Sequence, residues 1–131
     1  MIRHRPNRMT PVVAVVDDDL SMLQSLGDLL ESAGYLVRAF PSATSLLDAV
    51  DLAGIDCLVT DIGMPAVTDG LELKRIVHLH RPELPIILIT GREVTEEILA
   101  SARQSQGLFR KPFNTQQLLV AVREAIGHGE P

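Results

Sequence analysis

Two kinds of hydrophobic pattern alternate along the chain. Short apolar runs, most of them rich in β-branched residues, are typical of strands that are covered on both faces of a parallel sheet. Between these runs, apolar residues recur every three or four positions, which is typical of a helix with one buried face. The apolar runs fall at residues 12–16, 35–40, 57–59, 85–89 and 108–110. Five repeats of strand and helix predict an α/β fold with a doubly wound, five-stranded parallel sheet.

The predicted helices have identifiable ends and inward faces. Asp19 or Ser21 can cap the first helix, and Gly34 is placed to end it. Asn114 is predicted to cap the last helix, where a side-chain oxygen can accept from an exposed backbone N–H group. The inward face of the third helix is predicted to contain Leu73, Ile76, Val77 and His80.

Reactive side chains stand where four of the predicted strands end. Asp17 and Asp18 follow the first strand, and Asp61 ends the third. Thr90 ends the fourth strand, and Lys111 follows the fifth. Because parallel strands end at the same edge of a sheet, these five side chains are predicted to converge on one crevice.

The residue types in this group predict a specific chemistry. Neighbouring carboxylates repel one another, and a hard divalent cation with oxygen ligands, such as Mg²⁺, relieves that repulsion. A metal ion beside an ammonium and a hydroxyl group can stabilise the negative charge of a phosphoryl group in transfer. Asp17 and Asp18 stand together as a metal clamp, whereas Asp61 stands alone on a central strand. Asp61 is therefore the candidate reactive group.

Composition narrows the class of protein further. The chain has 131 residues and a formal net charge of −5, so it resembles a single globular domain and lacks the basic excess of a general nucleic-acid binder. No apolar run approaches the length of a membrane span, and no secretory signal is evident. The single cysteine, Cys57, is predicted to be an inert core thiol, which fits a cytoplasmic location. The four histidines show no metal-ligand spacing.

Four motifs follow one another along the chain. They are Val15-Val16-Asp17-Asp18-Asp19, Thr60-Asp61-Ile62-Gly63-Met64-Pro65, Ile89-Thr90-Gly91 and Lys111-Pro112-Phe113. Their order and sequence resemble the receiver domain of two-component response regulators, and are similar to receivers of the FixJ/LuxR type. The resemblance covers nearly the whole chain. It implies a receiver domain at residues 12–126, a flexible tail at residues 1–11, and a tail or linker at residues 127–131.

The resemblance implies a role for each residue of the group. Asp61 would accept a phosphoryl group, and Thr90 and Lys111 would contact it. Mg²⁺ would be held by Asp18, Asp61 and the carbonyl of Gly63, with Asp17 holding a metal-bound water. No other cofactor is implied.

The resemblance also implies a fold and partners. The strand order would be 2-1-3-4-5, as in flavodoxin-like (βα)₅ proteins, and the Lys111-Pro112 bond would be cis. The donor would be a sensor histidine kinase or a phosphotransfer protein. The product would be a signalling switch that assists its own phosphorylation and dephosphorylation, rather than an enzyme. Residues 92–126 would form a dimer or partner surface, with no direct contact to nucleic acid or membrane.

One departure from the family pattern concerns signal transmission. Receivers usually carry Tyr or Phe three residues before the lysine, but here that position holds Leu108, and Phe109 follows it. In a regular strand, Phe109 shares a face with Lys111 and not with Leu108. Either the last strand is bulged or the usual aromatic response is absent.

Two other functions remain open on sequence grounds. Asp17-Asp18-Asp19-Leu20-Ser21 also resembles the Asp-x-Asp motif of haloacid-dehalogenase-like phosphatases, in which Asp17 would attack and Asp19 would act as acid and base. The chain lacks a later acidic pair at a strand end, which such enzymes need. The other possibility is a receiver that serves only as an interaction surface, which the intact acids, Thr90 and Lys111 argue against.

Overall fold

Strands and α-helices alternate along the chain, as the hydrophobic pattern predicts. The computed structural model describes residues 10–49, 51–62, 70–91 and 95–127. The strands are β1 (Val12–Val16), β2 (Leu36–Phe40), β3 (Cys57–Asp61), β4 (Ile86–Thr90) and β5 (Gly107–Arg110). The helices are α1 (Leu20–Ser32), α2 (Ala43–Ala49), α3 (Gly70–His80), α4 (Glu96–Ala102) and α5 (Thr115–Gly127). A 3₁₀ turn at Leu52–Gly54, which the pattern does not predict, precedes β3.

The five strands form one parallel sheet in the order β2-β1-β3-β4-β5, which confirms the predicted order. Every residue of β1, β3 and β4 is buried, as expected for strands covered on both faces. Because all the strands run in the same direction, their carboxyl ends meet at one edge. That edge is the predicted location of the reactive group.

The sheet separates two hydrophobic cores. Residues of β1, β3 and β4 contribute to both, because successive side chains of a strand point to opposite faces. We call the first the α1/α5 core, and its helical members are Leu23, Leu26, Leu30, Leu118, Val122 and Ala125. We call the second the α2/α3/α4 core, and its helical members are Ala43, Leu46, Leu73, Val77 and Ile98.

The predicted helix ends are confirmed. The Asp19 carboxylate accepts from the N–H groups of Ser21 and Met22, so Asp19 is the residue that caps α1. Gly34 follows α1 with a φ of 99°, a left-handed conformation that glycine adopts without steric cost. Asn114 accepts from the N–H of Gln117 in the first turn of α5.

One predicted inward residue of α3 is wrong. Leu73 and Val77 are buried, but His80 is exposed, and Lys74, which was not predicted to face inward, is also buried. Lys74 precedes Val77 by three residues, so the two are separated by about 60° around the axis and Lys74 borders the buried face of α3. The hydrophobic pattern missed this position because lysine is normally found at the surface.

Parts of the predicted tails and loops lie outside the described residues. These are residues 1–9 and 128–131, together with Gly63, which was predicted to be a metal ligand, and residues 92–94 of the predicted partner surface. At the tail boundaries, the carbonyl of Pro11 accepts from the N–H of Leu36, and α5 includes Gly127. None of the described helices is long and apolar enough to cross a membrane.

Candidate functional site

The backbone brings the ends of β1, β3, β4 and β5 to one edge of the sheet. Asp61 is the last residue of β3 and lies beside Ile89 of β4. Thr90 is the last residue of β4, and its carbonyl accepts from the N–H of Lys111 at 2.8 Å. Asp17 directly follows β1, and its N–H donates to the carbonyl of Phe40 at 3.2 Å. The sheet therefore gathers the predicted site residues through main-chain bonds between neighbouring strands.

The three aspartates form a compact acidic cluster. One carboxylate oxygen from each of Asp17, Asp18 and Asp61 lies within 4.8 Å of the other two. Asp17 and Asp61 are buried, with exposed fractions of 0% and 6%, whereas Asp18 is exposed. The cluster is therefore closed on the side of the protein and open to solvent at Asp18.

Lys111 joins the two buried carboxylates. Its Nζ lies 3.1 Å from Oδ2 of Asp17 and 3.2 Å from Oδ2 of Asp61, so the ammonium donates to both. The stem of Lys111 passes over Gly91, where a Cβ atom would lie 3.6 Å from Cδ of the lysine. The side chain therefore crosses the edge of the sheet from β5 to β1 and β3.

Burial and charge shift the ionisation of these groups in opposite directions. Burial raises the pKa of Asp17 above its usual value, a hydrogen bond from the N–H of Asp19 opposes that shift, and the charge of Asp61 adds to it. Burial would lower the pKa of Lys111, but its hydrogen bonds and attraction to Asp17 and Asp61 outweigh burial, so its pKa is raised. Lys111 is accordingly a stable cation in this site.

The donor set fits a divalent cation. Carboxylate oxygens are the ligands that Mg²⁺ prefers, and Mg²⁺ keeps several waters, so it suits a cluster that is open on one side. Asp17 and Asp61 repel each other at close range, and Lys111 supplies only one positive charge to three carboxylates. A cation at the open side would balance the remaining charge.

Thr90 is the last residue of β4 and directly follows Ile89, which pairs with Asp61 of β3. It is fully buried, and it precedes Gly91 at the point where the lysine stem crosses. All five predicted side chains therefore come from the same edge of the sheet. Sequence reasoning treated Gly91 only as part of a motif, although a glycine directly after a strand end is a signal of close approach.

The geometry does not favour a nucleophile at Asp17 with Asp19 as its acid. Asp19 is exposed, and its carboxylate is engaged as the cap of α1. The three acids that come together are Asp17, Asp18 and Asp61. The cluster therefore includes the acid of β3, as the main prediction required, and not the pairing of the dehalogenase-like alternative.

The last strand is regular. Gly107, Leu108, Phe109 and Arg110 pair in unbroken register with residues 87–90 of β4, so β5 has no bulge. Leu108 packs against the α2/α3/α4 core, whereas Phe109 packs against the α1/α5 core. Of the two possibilities left open by the sequence, the regular strand is the one observed, and no aromatic ring occupies the face of Leu108 at that position.

The sequence matches a described protein family. The family model of the response regulator receiver domain matches residues 13–123. The chain is 34% identical over 125 residues to the response regulator protein TmoT of Ectopseudomonas mendocina, covering 95% of this chain and 56% of that protein. It is 34% identical over 120 residues to the transcriptional regulatory protein FixJ of Bradyrhizobium diazoefficiens, covering 91% and 58%. The chain thus spans little more than half the length of these curated relatives.

Solved structures agree with the sequence comparison. A receiver domain protein from Clostridium thermocellum superposes with a TM-score of 0.82 at 30% identity, covering 90% of this chain and 95% of that chain. Full-length FixJ from B. japonicum superposes with a TM-score of 0.80 at 32% identity, covering 95% and 61%. Sequence, strand order and the acidic cluster at the sheet edge lead to the same conclusion: this chain belongs to the response regulator receiver domain family of two-component systems, whose members act as phospho-accepting signalling switches.

Proposed function

We propose that this receiver accepts a phosphoryl group on Asp61 in a Mg²⁺-dependent reaction. The donor is a phosphohistidine on a sensor histidine kinase or a phosphotransfer protein. The observation that carries the proposal is the convergence of Asp61, Asp17 and Asp18 within 4.8 Å, with Lys111 hydrogen-bonded to two of them. Carboxylates with one resident cation at the carboxyl edge of a parallel sheet can bind a metal ion and a phosphoryl group together.

The transfer is a single substitution at phosphorus. A carboxylate oxygen of Asp61 forms a bond to phosphorus as the bond between phosphorus and the imidazole nitrogen breaks. The electron pair of the broken bond stays on the imidazole nitrogen, and the product on Asp61 is an acyl phosphate. Lys111 and the hydroxyl of Thr90 donate to the phosphoryl oxygens, because both stand at the edge where Asp61 ends its strand.

Asp18, Asp61 and the carbonyl of Gly63 would hold Mg²⁺, and Asp17 would hold a metal-bound water. When bound, Mg²⁺ supplies positive charge that stabilises the phosphoryl oxygens during transfer. Asp17 contributes through its position as well, since its buried carboxylate fixes Lys111 on one side of Asp61. The same groups can assist attack of water on the acyl phosphate, so the switch would also return itself to the resting state.

Domain limits and location follow from this function. We propose that residues 12–126 form the receiver, flanked by a tail at residues 1–11 and a tail or linker at residues 127–131. The kinases that supply phosphohistidine act inside the cell, which supports a cytoplasmic location. The acidic net charge of −5 supports partners that are proteins rather than nucleic acid or membrane.

Phosphorylation would change an interaction surface formed by residues 92–126. Within this range, Leu99 on α4 and Val120 on α5 are exposed apolar residues, and Arg103 and Arg110 are exposed arginines. Apolar and arginine side chains on one surface are typical of protein contacts. The occupant would be a second copy of the chain or an output partner.

The decisive experiment is acyl phosphate formation on purified protein. With acetyl phosphate and Mg²⁺, we expect intact-mass spectrometry to detect the addition of one phosphoryl group, labile to hydroxylamine and absent after chelation of the metal. Asp61→Asn should abolish the addition. Asp48→Asn is the matched control, because Asp48 is an exposed acid on α2. Modification that persists in Asp61→Asn, or that never forms in the unaltered chain, would contradict the proposal.

A further inference from the structure

The direction of the Lys111 side chain depends on packing near its own strand, in addition to the two carboxylates that its ammonium contacts. Its N–H bonds to the carbonyl of Thr90, which fixes the backbone but leaves the direction of the side chain open. The ammonium reaches two acids on other strands, at residues 94 and 50 positions away in the sequence. A long, flexible lysine loses considerable rotamer freedom in such a site, so neighbouring packing must limit its movement.

Two aromatic rings flank Lys111 in the chain. Phe109 lies two residues before it and Phe113 two residues after it, and their centroids are 6.3 Å apart at an interplanar angle of 67°. This is an edge-to-face contact, which is worth about 0.5–1.5 kcal/mol beyond the burial of the rings. The contact closes a loop of chain whose middle residue is Lys111.

Both rings are anchored in the same place. Phe109 and Phe113 are half-buried and pack against the α1/α5 core. The ring of Phe109 also covers Gly107, where a Cβ atom would lie 3.2 Å from Cε2 of the ring. Gly107 therefore leaves room for Phe109 to lie close to the strand, and the ring has little freedom to move.

We propose that Phe109 and Phe113 are positioning residues for Lys111. Their contact fixes the turn between β5 and α5, so that the lysine side chain points across Gly91 to Asp17 and Asp61. In this role the rings act only through the lysine. This role rests on the proposed function for its catalytic consequence, but the placement of Lys111 can be measured separately.

The placement is tested by acylation of lysine amines with an N-hydroxysuccinimide ester, read by peptide mass spectrometry. The chain has only two lysines, and Lys74, which is buried in α3, serves as the internal reference. In Phe109→Leu and Phe113→Leu, we expect Lys111 to react several-fold faster than in the unaltered chain. Phe113→Tyr keeps the ring and should restore the slow reaction.

Tyr35→Leu is the matched control. Tyr35 is another half-buried aromatic of the α1/α5 core, but it precedes β2 and so lies at the opposite edge of the sheet. The Tyr35→Leu substitution should loosen the core without changing the reactivity of Lys111. Equal acceleration in Tyr35→Leu, or unchanged reactivity of Lys111 in both phenylalanine variants, would overturn the positioning role.

The catalytic consequence is measured with acetyl phosphate on the same variants. A displacement of about 1 Å in a catalytic group can cost up to about a hundredfold in rate, so we expect roughly tenfold slower acyl phosphate formation in Phe109→Leu and Phe113→Leu. Faster acylation of Lys111 in the variants, with no acyl phosphate even in the unaltered chain, would support the positioning and contradict the proposed function.

Discussion

Lys74 is a charged residue in a buried environment. Its exposed fraction is 5%, and burial lowers its pKa below the usual value. Within the part of the chain that the structure describes, no carboxylate forms an ion pair with it. A buried ammonium without a counter-charge is destabilising, so α3 carries an energetic cost at this position.

We predict that Lys74→Met stabilises the fold by about 1 kcal/mol near neutral pH, because methionine has a similar length and no charge to bury. The lysine pKa is lower in the folded than in the unfolded state, so the unfolded state binds more protons as the pH rises between the two values. Stability of the unaltered chain therefore rises over that range. The advantage of Lys74→Met should shrink toward alkaline pH.

Urea unfolding of both proteins, near pH 7 and near pH 9.5, measures this difference in the free energy of unfolding. Arg75→Met is the control, because Arg75 is exposed on the same helix and pairs with Glu72 at the surface. A Lys74→Met protein that is less stable than the unaltered chain at neutral pH would show that the ammonium has a stabilising role.

At the scale of elements, α1 begins directly beside the acidic cluster. Asp19 caps this helix, and its N–H donates to Oδ1 of Asp17 at 2.9 Å. One residue thus links the start of α1 to the most buried acid of the site. The link is through the backbone, so the Asp19 side chain serves the helix alone.

We predict that Asp19→Ala costs about 1 kcal/mol of stability through loss of the cap and leaves acyl phosphate formation within about twofold of the unaltered rate. Thermal unfolding and mass spectrometry with acetyl phosphate measure the two effects. Asp19→Asn is the control, since asparagine is also a good cap and should keep both. If Asp19→Ala lost phosphorylation at a temperature where the variant is folded, the Asp19 side chain would have a chemical role in addition to capping α1.

The elements were predictable from the sequence to differing degrees. Strands β1 and β4 are continuous apolar runs, so their burial and their polar ends at Asp17 and Thr90 could be read directly. The burial of Lys74 could not, because residue type and helical period gave opposite predictions and only packing decides between them. The contact between Phe109 and Phe113 is also a property of the folded turn, although alternation in β5 did separate Phe109 from Leu108.

At the scale of the whole molecule, the topology determines the position of the acidic cluster relative to the proposed interaction surface. The acids lie at one edge of the sheet, and β5 is an outer strand of that sheet. The fold and the edge could be predicted from the alternation of strands and helices and from the chemistry of four strand ends, whereas the strand order was implied by the resemblance to receivers. The surface that responds could only be proposed, since its shape depends on side chains of three elements.

We predict that phosphorylation promotes association of the chain, and that Arg103→Ala or Arg110→Ala weakens that association about tenfold. Both arginines are exposed. Arg103 directly follows α4, and Arg110 is the last residue of β5. Sedimentation velocity with and without acetyl phosphate measures the effect. Arg75→Ala, an exposed arginine on α3, is the control. Association that is the same in all three variants would place the responding surface elsewhere.

The arrangement of three carboxylates around one ammonium has a thermodynamic consequence. Formally, three carboxylates and one ammonium leave two uncompensated negative charges, and a phosphoryl group on Asp61 would add more. Under the proposed function, cation uptake and phosphate retention would reinforce each other, and by reciprocity each would strengthen the other by the same factor. The divalent cation concentration around this receiver, and not only the activity of its donor, would thereby set the lifetime of the phosphorylated form.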